Sequence, residues 1–521
     1  MNTLRSTLVG TALTTLLVAC SLINAPENLE PSSAGAGGTS SGGSSGKGGS
    51  APGGQAGTVA NAGSPAEAGE GGMPGAAGEA GSGPVGGMCS DSEADCSGTA
   101  PICDETLHSC RACAGDPDCS VLSDTPFCTA AGRCVACKKD VDCSGRTPVC
   151  GSAGTCRGCN ANSDCASGVC NPNGACGATA GAVYVLASTG STQATCGAFE
   201  EPCRFIATAA PKLTAARSNL VFLATQQAFD TGGAVIPPLE GIRVIGNGVV
   251  VQPYDGATSF KVTGGSVSFE GVDVRGGAAA APGLNCTGGT VHVRNSHFKG
   301  NGVAVNATDC SITITDSVIE ENATPLSNGL VAINASCSNA TCTATLTVER
   351  SRIQGNGKAL YVTNNATVLR NNLWLDNGDT GNSGAYNRVL EFRGKTAQVA
   401  YNTFVGNFNS CSYVGLLACD SGTCDALGNI TWGNFPGQSC NDQVLYNFQS
   451  MTYNLTEALQ PGVGNRSGDP KFVNPAGRDY TPGAGSPALD NGSPTSAPAD
   501  DYNGKPRPVG GAPDIGAVEA Q

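Results

Sequence analysis

Few residues in this chain have the type and spacing to do chemistry. Arg294, His297 and Arg352 fall at related places in a repeating pattern. Together they could hold a uronic acid, with a guanidinium neutralising the carboxylate while a base meets the acidic C–H. Equivalent positions hold Glu270, Arg294, Thr315, Glu349 and Arg370, and a second column holds Asp273, His297, Val318 and Arg352. The simpler reading is alternating ion pairs between stacked strands. A glycosidase needs carboxylates facing one groove, yet the only Asp-Asp pair, Asp500-Asp501, lies near the C-terminus. Three aspartates for a calcium site cannot be assembled on neighbouring copies, so no metal site or cofactor is assigned. Tyr386, Tyr413 and Trp432 lie in or beside enlarged turns, where a sugar ring could stack. Trp374 instead falls in an inward column with Phe298 and Phe404.

The elements that must position these residues are short apolar runs that repeat. Val293–Phe298 is echoed by Ile314–Ile319, Val348–Ile353, Leu369–Trp374 and Val399–Phe404, with a weaker copy from Asn429. Five residues beyond each Ser or Asn position stands Asn301, Asn322, Asn356, Asn377, Asn407 or Asn434. The copies are 21, 34, 21, 30 and 27 residues apart, and the extra residues fall in turns, as insertions in solenoids do. Asparagine tolerates left-handed turns and its amide can bond to the asparagines above and below. Six in register predict a ladder at a fixed corner of a right-handed parallel β-helix of about ten coils, an all-β fold roughly 45–50 Å long. Val235–Gln252 and Ser259–Val274 read as earlier, degenerate coils. Asn-x-Ser/Thr triplets such as Asn306-Ala307-Thr308 are frequent in a chain this rich in Asn and Thr, and no role is given to them.

The chain has 27 cysteines, a pattern of oxidising compartments. Sixteen of them, between Cys89 and Cys176, form four units of four whose starts are 24, 24 and 22 residues apart. Each unit has an Asp before its second cysteine: Asp95, Asp118, Asp142 and Asp164. The Cys-x-x-Cys junctions superficially suggest zinc, but the four-cysteine spacing continues through every junction, which favours two disulfides per unit. Three pairings are possible within each unit. The aspartates either cap turns or bind calcium, and turn capping is the simpler role. In the solenoid, stacking predicts bridges Cys286–Cys310 and Cys411–Cys440, and local loops predict Cys337–Cys342, Cys419–Cys424 and Cys196–Cys203.

A net charge of −14 with only 13% charged residues excludes a broad grip on nucleic acid. Residues 1–19 read as an export signal, with Arg5 before an uncharged apolar run too short to span a bilayer. Leu17-Val18-Ala19-Cys20 resembles the lipobox of bacterial lipoproteins, which implies lipidation at Cys20, cleavage before it and, since Ser21 follows, sorting to the outer membrane. Residues 20–87 form a Gly/Ser/Ala-rich tether. Its 57-residue stretch Pro31–Gly87 has too little apolar surface to fold, and as a coil it would span roughly 40–45 Å. Residues 88–177 are the cysteine repeats, similar to small cysteine-rich repeats of myxobacterial surface proteins, and 182–521 form the solenoid.

Val183-Tyr184-Val185, Gly190 and Pro202-Cys203-Arg204-Phe205-Ile206 resemble the opening segment of pectate-lyase-like parallel β-helix proteins. Asp469–Pro475, Gly485–Asp490 and the run from Asp500 to Glu519 resemble the terminal segment of bacterial surface proteins called choice-of-anchor Q. These resemblances imply a fold and a surface location, and no reaction. The expectation is an exported, membrane-tethered β-helix that displays a rigid face for adhesion or polysaccharide binding. The alternatives are a polysaccharide lyase or glycoside hydrolase, and a purely structural surface component.

Overall fold

Strand pairing sets the architecture. The computed structural model describes residue 89 and residues 96–223, 228–231, 233–253, 257–276, 281–323, 330–378, 388–409, 415–436 and 444–521. Each coil gives three short strands, and each strand pairs in parallel with its counterpart one coil on. Thr290–Arg294, for example, lies between Ser266–Glu270 and Ser311–Thr315, with Val293 between Phe269 and Ile314. The third strands of the coils make a sheet of 11 described strands. First and second strands run together through Leu390–Ala400 and Leu417–Leu427 into a sheet of 18. The result is a parallel β-helix of the right-handed sense that parallel crossovers take. Its columns are those read from the sequence, including Glu270, Arg294, Thr315, Glu349, Arg370 and also Asp273, His297, Val318, Arg352.

One face of each strand fills the lumen. Phe298, Ile319, Ile353, Trp374 and Phe404 stack inward and are buried, with the Trp374 and Phe404 rings 5.9 Å apart and nearly parallel. Burying each such side chain stabilises the fold by about 1.5–3 kcal/mol. The short helix Ile206–Ala209 and the residue that follows it add Ile206, Ala209 and Ala210 to the same core. No helix among the described residues is long and apolar enough to cross a membrane.

Two polar ladders run through the corners. Asn301, Asn322, Asn356, Asn377, Asn407 and Asn434 are joined by amide–amide hydrogen bonds of 2.9–3.0 Å, each Nδ2 donating to the next Oδ1. The same Oδ1 accepts the backbone N–H of the preceding rung. A second ladder, not foreseen, links Ser296, Ser317, Ser351, Asn372, Asn402, Asn429, Asn454 and Asn465 at the other corner. The ladder residues themselves are not left-handed, contrary to expectation. That conformation falls on the residue just before each rung: Asn295, Asp316, Arg350, Asn371 and Tyr401 at one corner, with φ of 45–55°. At the other corner it falls on Gly300, Glu321, Gly355, Asp376, Gly406 and Gly433. The preceding residue bends the chain, and the rung satisfies the backbone that the bend leaves unpaired.

In every cysteine unit the first cysteine pairs with the third and the second with the fourth, as in Cys113–Cys128 and Cys119–Cys134. Asp118, Asp142 and Asp164 spend their carboxylates on backbone N–H groups four residues or fewer upstream, which is turn capping. The fourth unit is packed on the solenoid rather than strung from it. Val169 is fully buried with Ala182, Tyr184, Val221 and Ile245, and Asn162 meets Arg243 and Glu270. Among the described residues of the solenoid the bridges are Cys196–Cys203, Cys286–Cys310, Cys337–Cys342 and Cys419–Cys424. Cys286 belongs to a strand. It lies inside the strand Pro282–Thr287, stacks on Ala307, and reaches round the corner to Cys310. Twelve disulfides among the described residues suit an extracellular or exported protein. The export signal 1–19, Cys20, the tether 20–87, Asp95, Cys411 and Cys440 lie outside the described residues.

The terminal segment folds back over the third strands of the later coils. There the outward residues turn apolar: Leu373, Leu375, Val405, Ile430 and Leu455 pack against Ala488, Ile515, Ala517 and Val518. The segment is held from within by Arg507, fully buried and ion-paired with Glu519 at 3.2 Å, and stacked on Tyr401. Arg507→Met should cost about 3–5 kcal/mol, because Glu519 keeps a buried charge without its partner. Chemical denaturation checks this, and adding Glu519→Gln should return part of the loss. Asn356→Ala should cost about 1–3 kcal/mol, since Asn322 and Asn377 both lose a buried partner. An unmoved denaturation midpoint would contradict the ladder's role.

Candidate functional site

The residues singled out by sequence sit on two rows of ion pairs. His297 lies between Asp273 and Glu320 on neighbouring third strands, with Nδ1 3.6 Å from Asp273 Oδ2 and Nε2 3.2 Å from Glu320 Oε1. Glu320 also meets Lys299 at 2.9 Å and Arg352 at 3.6 Å. His297 holds that carboxyl down to about 2, helped by Lys299 and opposed by burial. Arg294 belongs to the other row. It is mostly exposed and comes only within 4.0 Å of Asp316, which is itself held by Arg350 at 2.8 Å. Arg350 also meets Glu349 and Asp500, and Arg370 meets Glu349. The candidate trio therefore does not converge: His297 and Arg352 share one carboxylate while Arg294 goes elsewhere. This is the cross-strand ion pairing of an exposed solenoid face.

Of the aromatic candidates, Tyr386 and Tyr413 lie outside the described residues. Trp432 is half buried on the outward side of Ile430–Trp432, against the cluster of Ile430, Leu455, Ala488 and Ile515. Covering that apolar patch accounts for it.

The first strands carry a different surface, which the sequence reading passed over. Their outward column runs Lys261, Asn285, Asn306, Asn334, Tyr361, Glu391, Ala418, Tyr446. A parallel outward column runs Thr287, Thr308, Ser336, Thr363, Arg393. Asn306 Nδ2 donates to Asn285 Oδ1 and Asn334 Nδ2 to Asn306 Oδ1, each at 2.7 Å, so these amides form a third and partly exposed ladder. The Asn-x-Ser/Thr triplets were its signal. Asn285–Thr287, Asn306–Thr308 and Asn334–Ser336 occupy the same two outward positions in three successive coils.

Further along the same face the polar row becomes charged and aromatic. Glu391 is buried beneath Lys358, with Arg393 Nη2 at 2.5 Å and Arg388 Nη1 at 4.0 Å. Asp420 receives Arg388 and, at 3.3 Å, Arg393 Nε. Lys358 Nζ lies 4.5 Å from the Tyr361 ring centre, Arg393 5.4 Å from the same ring, and Arg388 5.6 Å from that of Tyr446. Burial pushes the Lys358 amine below its ordinary pKa, against the pull of Glu391. Burial also pushes Asp420 up, but the hydrogen bond and charge of Arg388 prevail and it titrates below the usual range. Of the three cations only Arg393 is substantially exposed, so the open chemistry here is one guanidinium beside the Tyr361 ring, next to the amides and hydroxyls of the earlier coils.

His297 gives a pH test. Burial alone would lower its pKa, but the Asp273 and Glu320 carboxylates prevail and raise it. A folded pKa above the unfolded one makes its stabilising contribution complete below about pH 6.5. It is lost as pH rises through the folded value. Denaturation midpoints of the protein should therefore fall over that window by more than those of His297→Gln. Parallel pH profiles for the two would contradict the bridge.

No family model matches the chain, and no curated protein matches it. Among solved structures it is similar to that of the pectate lyase Pel9A, at 14% identity and a TM-score of 0.37, over 65% of this chain and 96% of that one.

Proposed function

We propose that this is an exported, membrane-tethered β-helix whose first-strand face binds a polysaccharide without cleaving it. The observation that carries this reading is the outward lattice of Asn285, Asn306 and Asn334 beside Thr287, Thr308 and Ser336. It sets one amide and one hydroxyl per coil at the ~4.8 Å spacing of stacked strands. A rigid row of donors and acceptors offers a linear glycan repeated hydrogen bonds at little cost in ordering the protein. The disulfide-braced stalk and a lipid at Cys20 would hold this face away from the membrane. His297 and Arg352 support the non-catalytic reading, because both are committed to Glu320.

A glycan array probed with the full chain tests the proposal. Binding to at least one linear polysaccharide is expected, and Asn306→Ala should weaken it roughly 5–10-fold, the worth of a typical hydrogen bond. An array without a binder would refute the reading. Release of unsaturated oligosaccharides from acidic chains would replace it with a lyase.

A further inference from the structure

The cysteine units share more than their disulfides. Each carries one apolar residue just before its third cysteine: Ile102, Phe127, Val149 and Val169. Ile102 is buried among Cys113, Cys119 and Cys128 of the unit that follows. Val149 is buried in the same way against Cys159 and Cys165 of the fourth unit. Val169 has no fifth unit to enter. It is fully buried on the solenoid instead, with Ala182, Tyr184, Val221 and Ile245. Tyr184, Val221 and Ile245 head the outward column that continues as Glu270 and Arg294, so the column is apolar where the unit covers it.

Other contacts close each joint. Two residues separate the last cysteine of one unit from the first of the next, as in Cys110 and Cys113. Arg111 pairs with Asp118 across the first joint at 2.9 Å, and Arg157 with Asp164 across the third at 3.1 Å. At the middle joint Phe127 is only partly buried, and Lys138 reaches back to Asp116. Val135 there lies so close over Gly154 that a Cβ would fall 2.5 Å from its methyl. At the solenoid a Cβ on Gly168 would fall 2.9 Å from a methyl of Val221. The Tyr184 hydroxyl donates to the Ser167 carbonyl at 3.1 Å, and Asn162 meets Arg243 and Glu270.

We infer that the head of the second row is an acceptor surface for a cysteine unit, and that the four units and the coils are docked in series as one stiff body. Val169 does at the solenoid what Ile102 and Val149 do between units, so the coils stand where a fifth unit would. Domains joined by small polar interfaces move relative to one another by default, and an apolar residue buried at the joint removes that freedom. The stalk then sets the direction of the first-strand face as well as its distance from the tether. Whatever that face binds is presented at a fixed angle, which holds whether or not the ligand is a glycan.

Distances between spin labels in the full-length protein test this. Labels carried on noncanonical residues leave the disulfides intact, one at exposed Thr106 in the first unit and one at exposed His292 in the solenoid. A single narrow distance distribution is expected. Val169→Asp should broaden it about twofold or more, because a buried carboxylate without a partner opens the joint. Val221→Asp should do the same from the solenoid side, and Val149→Asp one joint earlier. Val141→Asp makes the same exchange at a residue 86% exposed in the third unit, and should leave the width unchanged. A second label pair, at exposed Lys261 and Thr345, lies wholly within the coils and should stay narrow in every variant that folds. A broad distribution in the unsubstituted protein overturns the stiff stalk. An unchanged width in Val169→Asp overturns the docking role of the second row, and where Val221→Asp disturbs the coil pair, Val169→Asp alone decides.

Discussion

The constraint on which this molecule depends is the hydrogen bonding of its corners. A solenoid must bend its backbone at the same places in every coil, and each bend turns polar groups toward a lumen without water. Unpaired, each would cost about 1–3 kcal/mol. The chain meets this with side chains that stand in for backbone. Each Oδ1 from Asn322 to Asn434 accepts one amide from a side chain and one from the main chain of the rung before. A rung thus satisfies its neighbour's groups rather than its own. That makes register a collective property: one coil cannot slip without leaving the rungs on both sides unpaired.

Once the corners fix the register, each outward position becomes a column, and the columns divide the surface. The third-strand columns begin with His297, Lys299 and Glu320 and end with Leu375, Val405 and Leu455. The switch from charged to apolar marks where the terminal segment lies down. The outward residues Val221 and Ile245 of the second row do the same for the fourth cysteine unit. The first row keeps amides and hydroxyls over its earlier coils and charged and aromatic residues over its later ones.

How legible each feature was follows from how locally it is encoded. The ladder at Asn301 to Asn434 repeats one residue at one offset from an apolar pattern, so it could be read without knowing the turns. The pairs Cys337–Cys342 and Cys419–Cys424 are likewise set within a few residues. The second ladder mixes Ser with Asn, so composition hid a single physical role shared by hydroxyl and amide. The left-handed residues include Arg350 and Tyr401, types that no propensity would place there, because the ladder imposes the bend on whatever precedes it. Lys358 and Glu391 stand 33 residues apart across an enlarged turn. Their meeting depends on counting the register through an insertion, and local periodicity carries no such count.

The same reasoning separates the two charged surfaces. At Glu320 and Asp316 opposite charges are matched across strands, and each pair replaces a repulsion that stacked like charges would create at ~4.8 Å. Such matching satisfies a structural need and leaves little field outside. At Glu391 the cations instead converge on a carboxylate that is itself buried and held by Lys358 and Arg393. The neighbouring position in the next coil holds Ala418, which is buried as well. A small, fully buried side chain there belongs to the packing of the coils and is no opening in the face. The Glu391 cluster is therefore a packed, ion-paired part of the coils, with Arg393 its most exposed cation.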